Sequence, residues 1–205
     1  MPWWRCGGWC LAERRFESAW AIVAALMCLG ALAARPFDST LIDWQPSLGW
    51  REPWRAWTAV FVHYSGLHLA ANVAGAVLVG ALGHVAHLPA RSVATWLVAW
   101  PLTQFALAIQ PELLHYGGLS GVLHAGVAVV AVHLLSVGDT RQRRVGAAML
   151  VVLLAKVLGE SPWSGPLRHP AGWDIAVAPL AHASGAAMGA VCALVAEVRV
   201  KRTRV

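Results

Sequence analysis

Charge is what this chain has least of. Only 13% of its residues are Asp, Glu, Lys or Arg, against 58% hydrophobic. So few charges cannot coat the surface of a soluble all-α bundle of 205 residues. Cysteine is also scarce, with Cys6, Cys10, Cys28 and Cys192 as the whole set. Two fall in apolar stretches, and Cys6 and Cys10 lack the two-residue spacing of zinc or redox pairs. Free thiols are expected, with no disulfide framework. There is no low-complexity tract and no repeat, so one domain over residues 1–205 is expected. Acids are missing from the middle of every apolar stretch, which argues against a proton-coupled transporter.

What is present is hydrophobic length. Six apolar segments run over Ala19–Ala34, Leu67–Leu82, Ala90–Ala108, Ser120–Val137, Val145–Leu158 and Val177–Ala196. About 20 helical residues cross a typical hydrocarbon core. Several segments fall slightly short, which flanking Trp and Arg or a thinned bilayer can accommodate. Backbone groups in lipid must be satisfied internally, so these segments are predicted to be helices. The fold class expected is an all-α membrane protein of six transmembrane helices.

The sparse charges set its orientation. Arg5, Arg14, Arg15, Arg91, Arg141, Arg143, Arg144, Arg199, Lys201, Arg202 and Arg204 share one side, which is cytoplasmic by the positive-inside rule. The other side holds Arg35, Arg51, Arg55 and Arg168. Both termini are then cytoplasmic, with residues 1–16 as an N-terminal segment and 197–205 as a basic tail. The net charge of +6 is read as a topology signal, and no nucleic-acid partner is expected. Arg14-Arg15, the apolar run and Ala31-Leu32-Ala33 look like a cleavable signal peptide, but the basic tail favours a retained first helix. Most of the 12 Trp residues are expected at the interface, where indole rings settle.

Ser120 stands in Gly117-Gly118-Leu119-Ser120-Gly121 at the outer mouth of the fourth segment, and His182 stands inside the sixth. A serine needs a base to take its proton, and histidine is the usual one. The glycines let the backbone turn tightly and approach a substrate. A helix N-terminus adds unsatisfied N–H groups and positive dipole. Small residues around a serine also serve helix packing in membranes, so the Gly-x-Ser-Gly run alone is weak. No acid stands where it would orient His182 as in a Ser-His-Asp triad. A Ser–His dyad is therefore expected. His68 and Asn72 share one face of the second segment. The Asn72 amide can donate to an oxyanion, or the pair can simply bond two helices together. His84, His87, His115, His133 and His169 are expected to be polar residues near the interfaces. No metal and no cofactor is expected.

Together these residues carry a resemblance. Trp54-Arg55-Ala56-Trp57-Thr58, then His63, His68 and Asn72, then Gly118-Leu119-Ser120-Gly121, then Ala181-His182 with Gly185 and Gly189, resembles the rhomboid intramembrane serine proteases from about Trp54 to Ala196. The resemblance implies Ser120 as nucleophile and His182 as general base. It implies an oxyanion hole of His68, Asn72 and the Ser120 N–H. Trp54 and Arg55 would shape the first loop, and His63 would help hold it. Gly185 and Gly189 would bring the sixth helix against the fourth. Many members carry Tyr or Phe four residues after the serine, where this chain has His124. His124 would stack on His182, hydrogen-bond near the site, or be only structural. The compact form and the run Gly-Leu-Ser-Gly-Val-Leu-His resemble the rhombosortase branch. That branch is associated with substrates bearing a C-terminal Gly-Gly sorting tail. The implied setting is a bacterial inner membrane, with the site opening to the periplasm and with lipid and a transmembrane protein substrate as partners. A general rhomboid protease and a non-proteolytic rhomboid-like adaptor are the alternatives. The oligomeric state is not legible.

Overall fold

The computed structural model describes residues 7–202, with side chains for 19–200 and for Arg202. Arg5, Arg14, Arg15, Cys6, Cys10, Lys201 and Arg204 lie outside the described side chains. Helices α1 (Gly7–Ala33), α4 (Gly66–Val85), α5 (Ala90–Phe105), α6 (Ser120–Val137), α7 (Thr140–Gly159) and α8 (Pro179–Arg202) form a bundle. Two one-turn helices, α2 (Ser39–Ile42) and α3 (Arg55–Thr58), lie in the loop between α1 and α4. Among the described residues there are two isolated β-bridges, Trp44 with Tyr116 and Arg168 with Val177.

Helix formation follows from chemistry at the ends. Ser65 caps α4 by accepting from the His68 N–H at 3.0 Å. Asp139 and Gln142 form a reciprocal capping box on α7. That box starts α7 at Thr140, so Arg141, Arg143 and Arg144 lie in its first turns and not in a loop. Among the described residues four helices are long and apolar enough to cross a membrane: Gly66–Val85, Ala90–Ile109, Ser120–Val137 and Pro179–Val200. The arginines and Lys156 keep α7 out of this group, and the described apolar part of α1, Ala19–Ala33, is shorter.

Helix α6 is the hub. It packs against α4, α5, α7 and α8, and most of its residues are buried. Its contact with α8 is the closest in the bundle. A Cβ on Gly185 would run into the Gly121 carbonyl, and one on Gly189 into that of Ala125. Small residues let membrane helices approach backbone to backbone. Helix α1 packs on α4 and α5 through Trp20, which is fully buried. The Trp20 ring stacks on Trp96 at 5.2 Å and covers Gly83, where a Cβ would strike the indole. Trp96 Nε1 donates to the Val122 carbonyl at 2.7 Å. Trp20, Trp44 and Trp96 are therefore core residues, whereas Trp50, Trp54 and Trp163 are exposed. For those three rings, packing inside the bundle accounts for the position, with Gly83, Gly49 and Gly126 leaving room for the indoles.

Gly189→Ala should lower the thermal unfolding midpoint in detergent, although alanine is the better helix former. The added methyl meets a backbone carbonyl that cannot turn aside, and overpacking costs roughly 1–3 kcal/mol. Gly159→Ala, with nothing within 4 Å of the new methyl, should leave the midpoint unchanged.

Candidate active site

The first loop builds the platform for the site. Arg55 is buried, and its guanidinium bonds the Glu52 carboxylate, the carbonyls of Thr40 and Asp43 at 2.9 Å each, and Asp43 Oδ1 at 3.4 Å. Asp43 is 1% exposed and also receives His115 Nδ1 at 2.8 Å and the Tyr64 hydroxyl at 3.3 Å. Burial, with the Asp43 carboxylate adding to it, pushes the Tyr64 phenol well above its usual value. Trp44 and Tyr116 exchange backbone hydrogen bonds of 2.8 and 2.9 Å, and the Gly118 N–H donates to the Ala59 carbonyl at 3.0 Å. The glycine turn is thus tied to the loop on two sides. Gly118 has φ +121°, which favours glycine, and a Cβ there would press on His68 Nε2.

From this turn α6 begins with Ser120 as its first residue. His182 lies one turn into α8 and is 6% exposed. Its Nε2 stands 3.0 Å from Ser120 Oγ. The rings of His124 and His182 stack with centroids 4.3 Å apart and planes 13° apart. His124 Nδ1 donates to the Ser120 carbonyl at 2.6 Å. One ring nitrogen is engaged on its own helix, and the ring face covers His182.

His68 and Asn72 project from α4 on the other side of the turn and are both buried. His68 is flanked by the His63 ring at 4.8 Å and the Tyr64 ring at 6.3 Å. His63 Nδ1 donates to the Phe61 carbonyl at 3.1 Å. The Asn72 amide donates one N–H to the His68 carbonyl at 3.1 Å. An amide nitrogen carries two protons, so the second is left for the cavity. That cavity has a volume of about 1230 Å³, and Ser120, His182, His68, Asn72 and His124 all line it. Its walls below are apolar, with Leu78 and Leu82 from α4 facing Val145 and Val152 from α7. Above it, Ser65 Oγ donates to Asp174 Oδ1 at 2.8 Å, joining the α7–α8 loop to the start of α4.

The structure thus brings Ser120, His182, His124, His68, Asn72 and Gly118 together. Gly121 and Gly185 act beneath them as the contact between α6 and α8, and Arg55 and His63 act behind them in the loop. Two expectations are corrected. His115 and His133 are not merely interfacial. His115 is paired with Asp43, and His133 Nδ1 lies 2.7 Å from the buried Glu197 carboxylate. The expectation that no acid reaches His182 also fails. Glu160 Oε2 stands 2.6 Å from His182 Nδ1. Its other oxygen accepts from Lys156 Nζ at 2.6 Å. Glu160 follows the last residue of α7, so it enters from a helix end and not from mid-segment. The site is shallow enough for a helix end to reach it. Lys156 and Glu160 read in the sequence as an ordinary i,i+4 surface pair, which is why the carboxylate was not anticipated. Among the described residues no cluster of His, Cys, Asp and Glu suits a metal ion.

An all-helical, largely apolar bundle of this kind is a multi-pass membrane protein. Its family follows from the sequence match: the family model described as Rhomboid domain covers residues 50–198, and the chain belongs to the rhomboid family of intramembrane proteases. No curated protein matches the chain.

Arg55→Ala would leave Asp43 buried beside two carbonyls with their strongest donor removed. Breaking a buried pair from one side costs roughly 3–5 kcal/mol. The variant should show a markedly lower unfolding midpoint in detergent. Arg55→Lys should recover only part of it, because an ammonium cannot reproduce the guanidinium fork.

Proposed function

We propose that the chain is a serine endopeptidase of this family, with Ser120 as nucleophile and His182 as general base. The observation that carries the reading is the 3.0 Å contact between Ser120 Oγ and His182 Nε2 at the wall of a largely apolar cavity. As Ser120 Oγ bonds the scissile carbonyl carbon, its proton passes to Nε2. The resulting imidazolium gives that proton to the leaving amine as the C–N bond breaks. A water then gives a proton to Nε2 and its hydroxyl to the acyl carbon. Nε2 returns the proton to Ser120 Oγ as the ester bond opens. Stacked His124 holds the His182 ring in plane through this exchange.

The oxyanion is held by the second Asn72 N–H, by His68 and by the Ser120 N–H. First-turn amides of a helix have no partner within it. Losing one such donor typically costs about 100- to 1000-fold in rate. Asn72→Ala should lower kcat toward that range while leaving substrate KM within a few-fold, as steady-state cleavage in detergent would read. An unchanged kcat would leave Asn72 as a helix-packing residue.

The topology that fits is six spans with α1 and α7 included, both termini in the cytoplasm of a bacterial cell, and Ser120 opening to the periplasmic side of the inner membrane. The substrate is then a single-span protein whose scissile bond lies near the outer surface. A helical peptide bond must unwind to reach the serine. Glycine lowers that cost, being about 0.8–1.0 kcal/mol per residue less favourable in a helix than alanine. A C-terminal tail of Gly-Gly, an apolar helix and a basic end, as cleaved by rhombosortase-like enzymes, suits this site. Coexpression of such a tail with the enzyme, and mass spectrometry of the new C-terminus, tests both parts. Cleavage should be lost with Ser120→Ala and with His182→Ala, because nucleophile and base act as a unit. It should also drop when the glycine pair is replaced by Leu-Leu. Full cleavage of the Leu-Leu tail would leave a general protease without a sorting role. Full activity of Ser120→Ala would end the serine mechanism.

A further inference from the structure

We propose that Glu160 is the positioning residue for His182, so that the site works as a Ser120–His182–Glu160 relay and not as a serine–histidine pair. This rests on the serine protease reading above and adds a third member to it. The geometry is a chain of two contacts on opposite ring nitrogens. Glu160 Oε2 stands 2.6 Å from Nδ1, and Ser120 Oγ stands 3.0 Å from Nε2.

The contact at Nδ1 decides the tautomer. A carboxylate only accepts hydrogen bonds. Burial alone would raise the Glu160 carboxyl, but the bonds and charges of His182 and Lys156 outweigh it and hold the group below its usual range. With the Lys156 ammonium donating to Oε1, the carboxylate form is favoured, and the proton between Oε2 and His182 belongs to Nδ1. Nε2 is left with its lone pair facing the serine hydroxyl, the form a general base needs. Lys156 Nζ also comes within 3.4 Å of Nδ1. That contact is the longer one, and a protonated Nδ1 has no lone pair to receive it. The ammonium instead fixes the carboxylate through Oε1.

The surroundings leave Glu160 this task alone. The polar groups facing His182 are Ser120 and His124 from α6, Lys156 and Glu160 from the end of α7, and His68 from α4. His124 meets His182 face to face, an arrangement in which neither ring can make an in-plane hydrogen bond to the other, so it is no acceptor for His182 Nδ1. Glu160 is the one acceptor among these groups at that nitrogen. When Nε2 takes the serine proton, the imidazolium charge develops against a carboxylate already in place. That placement also bridges α7 and α8, which otherwise meet through small and branched side chains such as Leu153, Val157 and Ala186. An α7 moved outward would carry Glu160 away from the ring.

The test uses the full-length protein in detergent with a serine-reactive fluorophosphonate probe, which reads nucleophile activation whatever the natural substrate is. Glu160→Gln should label about 100-fold more slowly than wild type. With a cleavable transmembrane substrate, it should lose a similar factor in kcat with KM within twofold. Glu160→Asp, which restores a carboxylate at shorter reach, should recover at least tenfold over the glutamine variant. Ser120→Ala separates the two proposals: labelling of that variant would remove the serine mechanism itself. Abolished labelling in Ser120→Ala, together with wild-type rates in Glu160→Gln, would remove only the relay. The tautomer gives a readout that folding losses do not imitate. In ¹⁵N-histidine-labelled Ser120→Ala protein, the His182 signal, assigned by its absence in His182→Ala, should be that of the Nδ1–H form. A His182 signal of the Nε2–H form would overturn the proposal.

Discussion

The approach of α8 to α6 is the constraint on which the rest depends. Gly121 and Gly185, then Ala125 and Gly189, place two backbones in contact with no side chain between them. In lipid there is no hydrophobic force to push helices together, so van der Waals contact over small residues must supply the association. The same contact fixes the distance between the first residue of α6 and the first turn of α8. A methyl group at the seam would separate the helices by a fraction of an ångström or more. A 3.0 Å hydrogen bond between Ser120 and His182 has no slack for that. Packing and chemistry here share one set of coordinates.

A second constraint is polar. The first loop carries a nearly inaccessible carboxylate, Asp43, and a guanidinium, Arg55, in a region rich in Trp and Pro. Such groups are stable only when every donor and acceptor is used. Asp43 meets that condition with Arg55, Tyr64, His115 and Gln45. The result is a loop with no helix longer than one turn that still holds the glycine turn firmly. The Gly118 N–H is bonded to this loop, so the turn before Ser120 does not depend on α6 alone.

Much of the site was legible in the sequence because its signals are local. A Gly-Gly-x-Ser-Gly run, a histidine in an apolar segment, and His68 and Asn72 four apart each stand out without a structure. The resemblance to the rhomboid proteases also implied that Gly185 and Gly189 bring this helix against α6. Glu160 did not stand out, because its role depends on where α7 ends relative to α8, and no periodicity encodes that. The burial of Trp20 and Trp96 is not legible for a related reason. It depends on Gly83 and Gly126 on other helices, where a Cβ would collide with the indoles. The interval Val145–Leu158 understated α7, since the capping box at Asp139 extends the helix back through its arginines. Helix ends are set by side-chain bonds that hydropathy does not register.

The indole of Trp20 carries one more consequence. It lies flat on Trp96 and occupies the space that Gly83 leaves open, while Met27 and Ala31 of the same helix are also sealed from solvent. Residue 20 precedes the matched Rhomboid domain, yet it fills the middle of the core. Loss of the Trp20 indole would leave a trench as wide as the ring along α4 and α5 for lipid chains to fill.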